Sequence, residues 1–186
     1  MISRFLIVVI FGVFFGTRGS NSQNDETVIP TLGVCHALSH ASEYDGKMVR
    51  IRGQIVSTDE GTWFLGEDCP GIFVADGKIW PSSIAWTSPG QREFILHPVS
   101  FDFDRASLAR LDKKWKKLRR QVSDRCIAVT YTGMFEMWSK AKAKKTYPNG
   151  TTVEIPGFGH LNGAPTQLVL KSADDVAAIP NCTRQK

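Results

Sequence analysis

Apolar and polar residues alternate most clearly over residues 48–57, Met-Val-Arg-Ile-Arg-Gly-Gln-Ile-Val-Ser. Val49, Ile51, Gly53 and Ile55 fall on one side, and Met48, Arg50, Arg52 and Gln54 on the other. A period of two predicts a strand with one dry face and one wet face. The turn Tyr44-Asp45-Gly46-Lys47 feeds this strand. Before the turn, Leu32, Cys35, Leu38 and Ala41 recur at helical spacing and predict a short N-terminal helix over Thr31 to Tyr44. Downstream, Asp59-Glu60-Gly61 reverses the chain into Trp63-Phe64-Leu65, and Glu67 to Gly71 is a second break. Ile72–Ala75, the turn Asp76-Gly77 and Lys78-Ile79-Trp80 read as a hairpin. Pro81 to Pro98 is rich in Pro and Ser and is expected to be irregular, although Phe94 to His97 would also suit a strand.

The clearest helix is predicted over Arg105 to Val122, with Asp104 as its N-cap. Leu108, Leu111, Trp115, Leu118 and Val122 form one apolar stripe, and Lys113, Lys114, Lys116, Lys117, Arg119 and Arg120 fill most of the remaining surface. A long strand follows over Arg125 to Trp138. Lys140, Lys142 and Lys144 then alternate toward the turn Tyr147-Pro148-Asn149-Gly150, with Thr151 to Ile155 as the return arm. After the glycine-rich loop Gly157 to Gly163 comes a last strand, Gln167 to Lys171, and Ala173 to Ile179 is expected to form a helical turn. Three strands, a helix and two strands is the order of an OB fold. The expected architecture is therefore mainly β: an OB-fold-like five-stranded barrel with a helix between strands 3 and 4. Its third-to-fourth connection is enlarged by Trp80 to Phe103, and its fourth-to-fifth by the Lys-rich hairpin and glycine loop. Enlarged loops are where a binding surface is expected.

The first residues change the picture of where this fold works. Arg4 supplies a positive charge ahead of the apolar run Phe5 to Phe15, and Thr17 and Gly19 are small residues before Ser20. This is the layout of a signal peptide over residues 1–19. Residues 20–30 then form a flexible polar leader, and 31–186 a single OB-like domain with no further membrane span. The net charge of +5 falls to +3 without Arg4 and Arg18, a mild excess. Cys35, Cys69, Cys126 and Cys182 are an even set, read as two disulfides in a periplasmic or secreted protein. Three connectivities are open. Cys35–Cys69 with Cys126–Cys182 is favoured, because it ties the leader to the barrel and the tail to a central strand.

Three sets of residues carry candidate chemistry. Lys113, Lys117 and Arg120, with the Lys140 to Lys145 run, suit a polyanion or nucleic acid. Export and modest charge argue against nucleic acid, and a solvated helix face explains the same residues. His36 and His40 are spaced as two zinc ligands are, but no third ligand or CxxC pair accompanies them, so no metal or cofactor is expected. Glu67 and Asp68, or Asp102 and Asp104, are explained as turn and cap residues. An enzyme would be built on His160 in its glycine loop, with His97, Glu67 or a Ser or Asp as partner; no GxSxG, HExxH or phosphate loop is present.

Val34-Cys35-x-Ala-Leu, Tyr44-Asp-Gly-Lys-x-Val-Arg-Ile-Arg-Gly53 and Asp68-Cys-Pro-Gly71 resemble segments of uncharacterised exported bacterial proteins that carry an OB-like barrel. Ala128 to Gly133, Tyr147 to Gly150, Gly157 to Gly163 and Leu170 to Val176 resemble a larger subgroup of them. The resemblance spans nearly all of the mature chain and implies no activity. In a bacterial protein the sequons at Asn149 and Asn181 are chance matches. The expected function is thus an exported binding or structural domain that contacts a protein or envelope component, with Trp80, Trp86, Trp138, Phe158 and His160 as candidate contacts.

Overall fold

The structure is a computed structural model describing residues 29–58, 61–66, 69, 72–75, 77–89, 95–123, 126–139, 144–146, 148–154, 156–159, 162–180 and 182. The proposed signal peptide, nearly all of the leader, Glu67, Asp68, Lys140, Lys142, Asn181 and His160 lie outside the described residues. The elements are β1 (Thr31–Gly33), α1 (Val34–Ser39), α2 (Ala41–Tyr44), β2 (Met48–Thr58), β3 (Gly61–Leu65), β4 (Ile72–Ala75) and β5 (Lys78–Pro81). They continue with β6 (Ser83–Thr87), α3 (Arg105–Leu118), β7 (Ile127–Met137), β8 (Lys144–Thr146), β9 (Thr152–Glu154) and β10 (Thr166–Ala178).

Five strands close a mixed barrel in the order β2-β3-β6-β10-β7, with β7 pairing back onto β2. The β6–β10 pair is parallel and the other barrel pairs are antiparallel. With α3 between the third and fourth barrel strands, this is the OB-like architecture expected from the element order. The alternation in β2 is observed: Val49, Ile51, Gly53 and Ile55 are buried, whereas Met48, Arg50, Arg52 and Gln54 are half-buried. Gly53 is required by crowding, because a Cβ there would lie 2.7 Å from the Leu65 carbonyl oxygen and 2.9 Å from the Phe64 ring. The Tyr44-Asp45-Gly46 turn is bonded to the far end of β7: Gly46 N–H donates to the Phe135 carbonyl (2.8 Å), and Asp45 Oδ1 accepts from Met137 N–H (2.9 Å).

Several expectations are corrected. The third barrel strand is β6, inside the segment expected to be irregular, while β4 and β5 form a separate two-stranded hairpin. Ser83 and Thr87 hide this strand in the sequence: both are polar, yet both are buried, so no wet face marks it. Ala173 to Ile179 is not a helical turn; β10 runs to Ala178, because pairing with β7 overrides the poor strand propensity of Ala and Asp. Residues 31–33 leave the N-terminal helix and add to β2 as a parallel strand. The major helix ends at Leu118, and turns carry the chain on to Val122. Asp104 does cap it, accepting from Ser107 N–H at 3.0 Å. Leu111 is buried, and Trp115, Leu118 and Val122 pack on the barrel core, but Leu108 is exposed. Ser107 takes the buried place instead, its Oγ accepting from Ala173 N–H of β10 (2.9 Å).

Both favoured disulfides are present. Cys35–Cys69 ties α1 to the segment after β3, and Cys126–Cys182 ties the start of β7 to the chain beyond β10. Replacing Cys126 and Cys182 together by Ala should lower the unfolding free energy by about 2–5 kcal/mol, read as a reduced denaturant midpoint. A second expectation concerns Tyr131, whose ring meets Phe64 edge-on at 5.6 Å and whose burial pushes its phenol up from 10.0 to about 12. The unfolded chain loses this proton first, so the contribution is full below pH 10.0 and is lost as pH rises toward about 12. The gap corresponds to about 2–3 kcal/mol. Denaturant titrations across that range should show the fall, and Tyr131→Phe should flatten it.

Candidate functional site

OB folds that bind oligonucleotides or oligosaccharides use the face of their second and third strands and the adjoining loops. Here those strands are β3 and β6, and the outward residues of β6 are covered: Ser83 and Thr87 are each 1% exposed and Ala85 is 5%. The cover is a second small core of Trp80, Ala85, Trp138, Phe158 and Ala164. Trp80 and Trp138 meet edge-on at 5.2 Å, and Lys78 Nζ lies 3.7 Å over the Trp80 ring while donating to the Pro156 carbonyl at 2.8 Å. Phe158 and Ala164 exchange both backbone hydrogen bonds. Gly159 has φ 69°, and a Cβ on it would lie 2.8 Å from that of Ala85. The close approach this glycine permits is thus to the protein's own third barrel strand.

This packing withdraws Trp80, Trp138 and Phe158 from the surface, since they are 2%, 9% and 3% exposed. Trp86 is half-buried with its ring edge-on to Phe64.

A further charged surface lies on α3 and the strands beneath it. Lys113 and Lys117 are exposed on the sector of α3 opposite Leu111 and Leu118, and Arg120 is exposed in the turn that follows the helix. Among the described residues, no carboxylate pairs with any of the three. Their neighbours are paired: Lys116 with Asp112 (2.6 Å), Lys114 with Asp175 (2.8 Å) and Arg110 with Asp104 (3.4 Å). The hydrogen bond from Lys114 is the main cause holding the Asp175 carboxyl below the ordinary carboxylate range; the Val176 backbone and the charges of Lys114 and Arg52 add to it against burial.

The described histidines, His36, His40 and His97, have structural partners. His36 and His40 stack at 4.3 Å, with His36 Nε2 3.1 Å from the Tyr44 hydroxyl and His40 Nδ1 2.9 Å from Ser39 Oγ. Among the described residues, no group of three or more His, Cys, Asp or Glu could hold a metal ion. His97 Nε2–H donates to Asp45 Oδ1 (3.0 Å), and its ring stands over Gly46. One residue that sequence reasoning missed anchors this corner: Glu136, fully buried in β7. Its Oε1 accepts from the N–H groups of Leu96 (2.9 Å) and His97 (2.8 Å), and its Oε2 from Gln167 Nε2 (2.6 Å). Its place as the one charged residue in β7 was the available signal. Comparison with family models, curated proteins and solved structures finds no match to the chain.

Glu136→Leu should leave three donors without acceptors and destabilise the fold by about 3 kcal/mol or more. Glu136→Gln should cost far less, because the amide oxygen keeps both backbone donors while the Gln167 amide inverts. Denaturant midpoints of the two variants check this.

Proposed function

We propose that this chain is an exported, non-enzymatic OB-like binding domain that works in the periplasm or outside the cell. Its partner is an anionic component of the envelope, a polymer or a headgroup-bearing surface, met by the outer face of α3. The observation that carries this reading is the sector formed by Lys113 and Lys117 on α3, continued by Arg120 in the turn after it: three exposed cations without carboxylate partners among the described residues. Residues that only decorate a solvated helix tend to be interspersed with acids, and on α3 the paired cations lie to either side of this sector. The two disulfides support an oxidising compartment.

Nucleic acid is the weaker polyanion. Single strands are held by aromatic rings beside a positive groove, and Trp80, Trp138 and Phe158 are buried. Phosphate or carboxylate polymers need charge alone.

Retention of the intact protein on heparin, used as a generic polyanion, should fall steeply with added salt. Lys113→Glu, Lys117→Glu and Arg120→Glu combined should elute at markedly lower salt with an unchanged melting temperature. Equal retention of this variant and the wild type would refute the reading.

A further inference from the structure

A cleft of about 670 Å3 runs between α3 and the barrel wall, on the inner side of the helix from the sector just described. Its volume lies within the range of roughly 300–1,000 Å3 found for small-molecule sites. Arg50, Arg110 and Lys114 bring three cations to it, and Asp104, Asp174 and Asp175 three carboxylates. We infer that this cleft receives the oxyanion of a small hydrophilic ligand, a carboxylate or phosphate group, with Arg50 as the binding residue and Asp174 as its positioning residue.

The argument starts from the irregular path of β10. Register against β7 shifts between Leu170 and Ser172 and again between Ala173 and Asp175. A regular strand sends successive side chains to opposite faces, whereas here Ser172, Asp174 and Asp175 all line the cleft. Bulges of this kind re-aim side chains and recur beside binding sites. Asp174 is then tied by three donors: Ser172 Oγ to Oδ1 (2.6 Å), and Thr132 Oγ and Arg50 Nε both to Oδ2. The Arg50 contact is at 3.1 Å and uses Nε alone.

An Arg side chain has five N–H donors in a rigid fork. With Nε taken by Asp174, the four Nη donors of Arg50 have no partner among the described residues, and the side chain is 41% exposed in the cleft. The guanidinium is therefore held from one edge and presents the other, the geometry that grips a carboxylate or phosphate in bidentate fashion. Lys114, anchored on Asp175, adds a second cation to the same cleft. The polar lining selects a hydrophilic body for the ligand.

The test is a titration of the intact, oxidised protein with inorganic phosphate and, separately, with glucuronate, against sodium chloride at matched ionic strength. The Arg50 side-chain N–H resonances are followed by NMR. A saturable shift with either probe, absent with chloride, is expected, and the tighter probe names the anion class. Arg50→Lys should weaken binding about tenfold or more, because an ammonium lacks the fork. Asp174→Asn should weaken it while Arg50 remains; a merely structural Asp174 would alter the melting temperature and leave the affinity unchanged. Absence of saturation in the wild type overturns the inference without any variant. So does equal loss of binding in the combined Lys113, Lys117 and Arg120 variant, which would assign the response to the outer helix face. Heparin retention reads that outer face separately, so the two readings fail independently.

Discussion

The pairing of β2 with β7 is the contact on which the rest of the molecule depends. Met48 to Gln54 run antiparallel to Met134 to Ala128, and this seam converts an open sheet into a barrel. Closure removes sheet edges that would otherwise offer unpaired N–H and C=O groups. It also brings Val49 and Ile51 against Val129, Tyr131 and Phe135 in one core. The turn before β2 is drawn into the same seam, since Gly46 and Lys47 exchange backbone hydrogen bonds with Phe135. Asp45, bonded to Met137 N–H and His97, locks the turn from its side chain.

Closure has a consequence for the outside of the barrel. The long connections fold back on it, and the Trp80 and Trp138 cluster buries the outward face of β6. Glu136 does the same for the approach to α3, binding two successive backbone N–H groups at Leu96 and His97. Surface that another OB-like domain could offer to a ligand is here internal. On the α3 side, cations and carboxylates meet at the cleft, and Lys113 and Lys117 are exposed on the helix.

That arrangement follows from β10. Beside its bulges, the Lys171 carbonyl accepts from Asp104 N–H and Ala173 N–H donates to Ser107 Oγ, so the N-terminal turn of α3 is stitched to the strand. The same irregularity turns Asp174 toward Arg50 and Asp175 toward Lys114. Docking of the helix and arrangement of the charges have one physical origin.

Local pattern alone determined the elements whose signal is periodic. The alternation of β2, the β-branched and aromatic run of β7 and the amphipathic α3 with its Asp104 cap all lie in short-range residue spacing, and the folded chain keeps them. Of the three pairings open to four cysteines, the favoured one is formed, but composition alone left the other two standing. Tertiary structure alone decided the rest. Ser83 and Thr87 are polar residues in a strand covered on its outer face, so burial depends on a loop some seventy residues later in the chain. Ala173 to Ala178 become strand because β7 supplies hydrogen-bond partners that local propensity cannot foresee. Whether a tryptophan is a contact or a core residue, and which of Arg50's donors remain open, depends on what packs against each side chain, and no spacing along the chain encodes that.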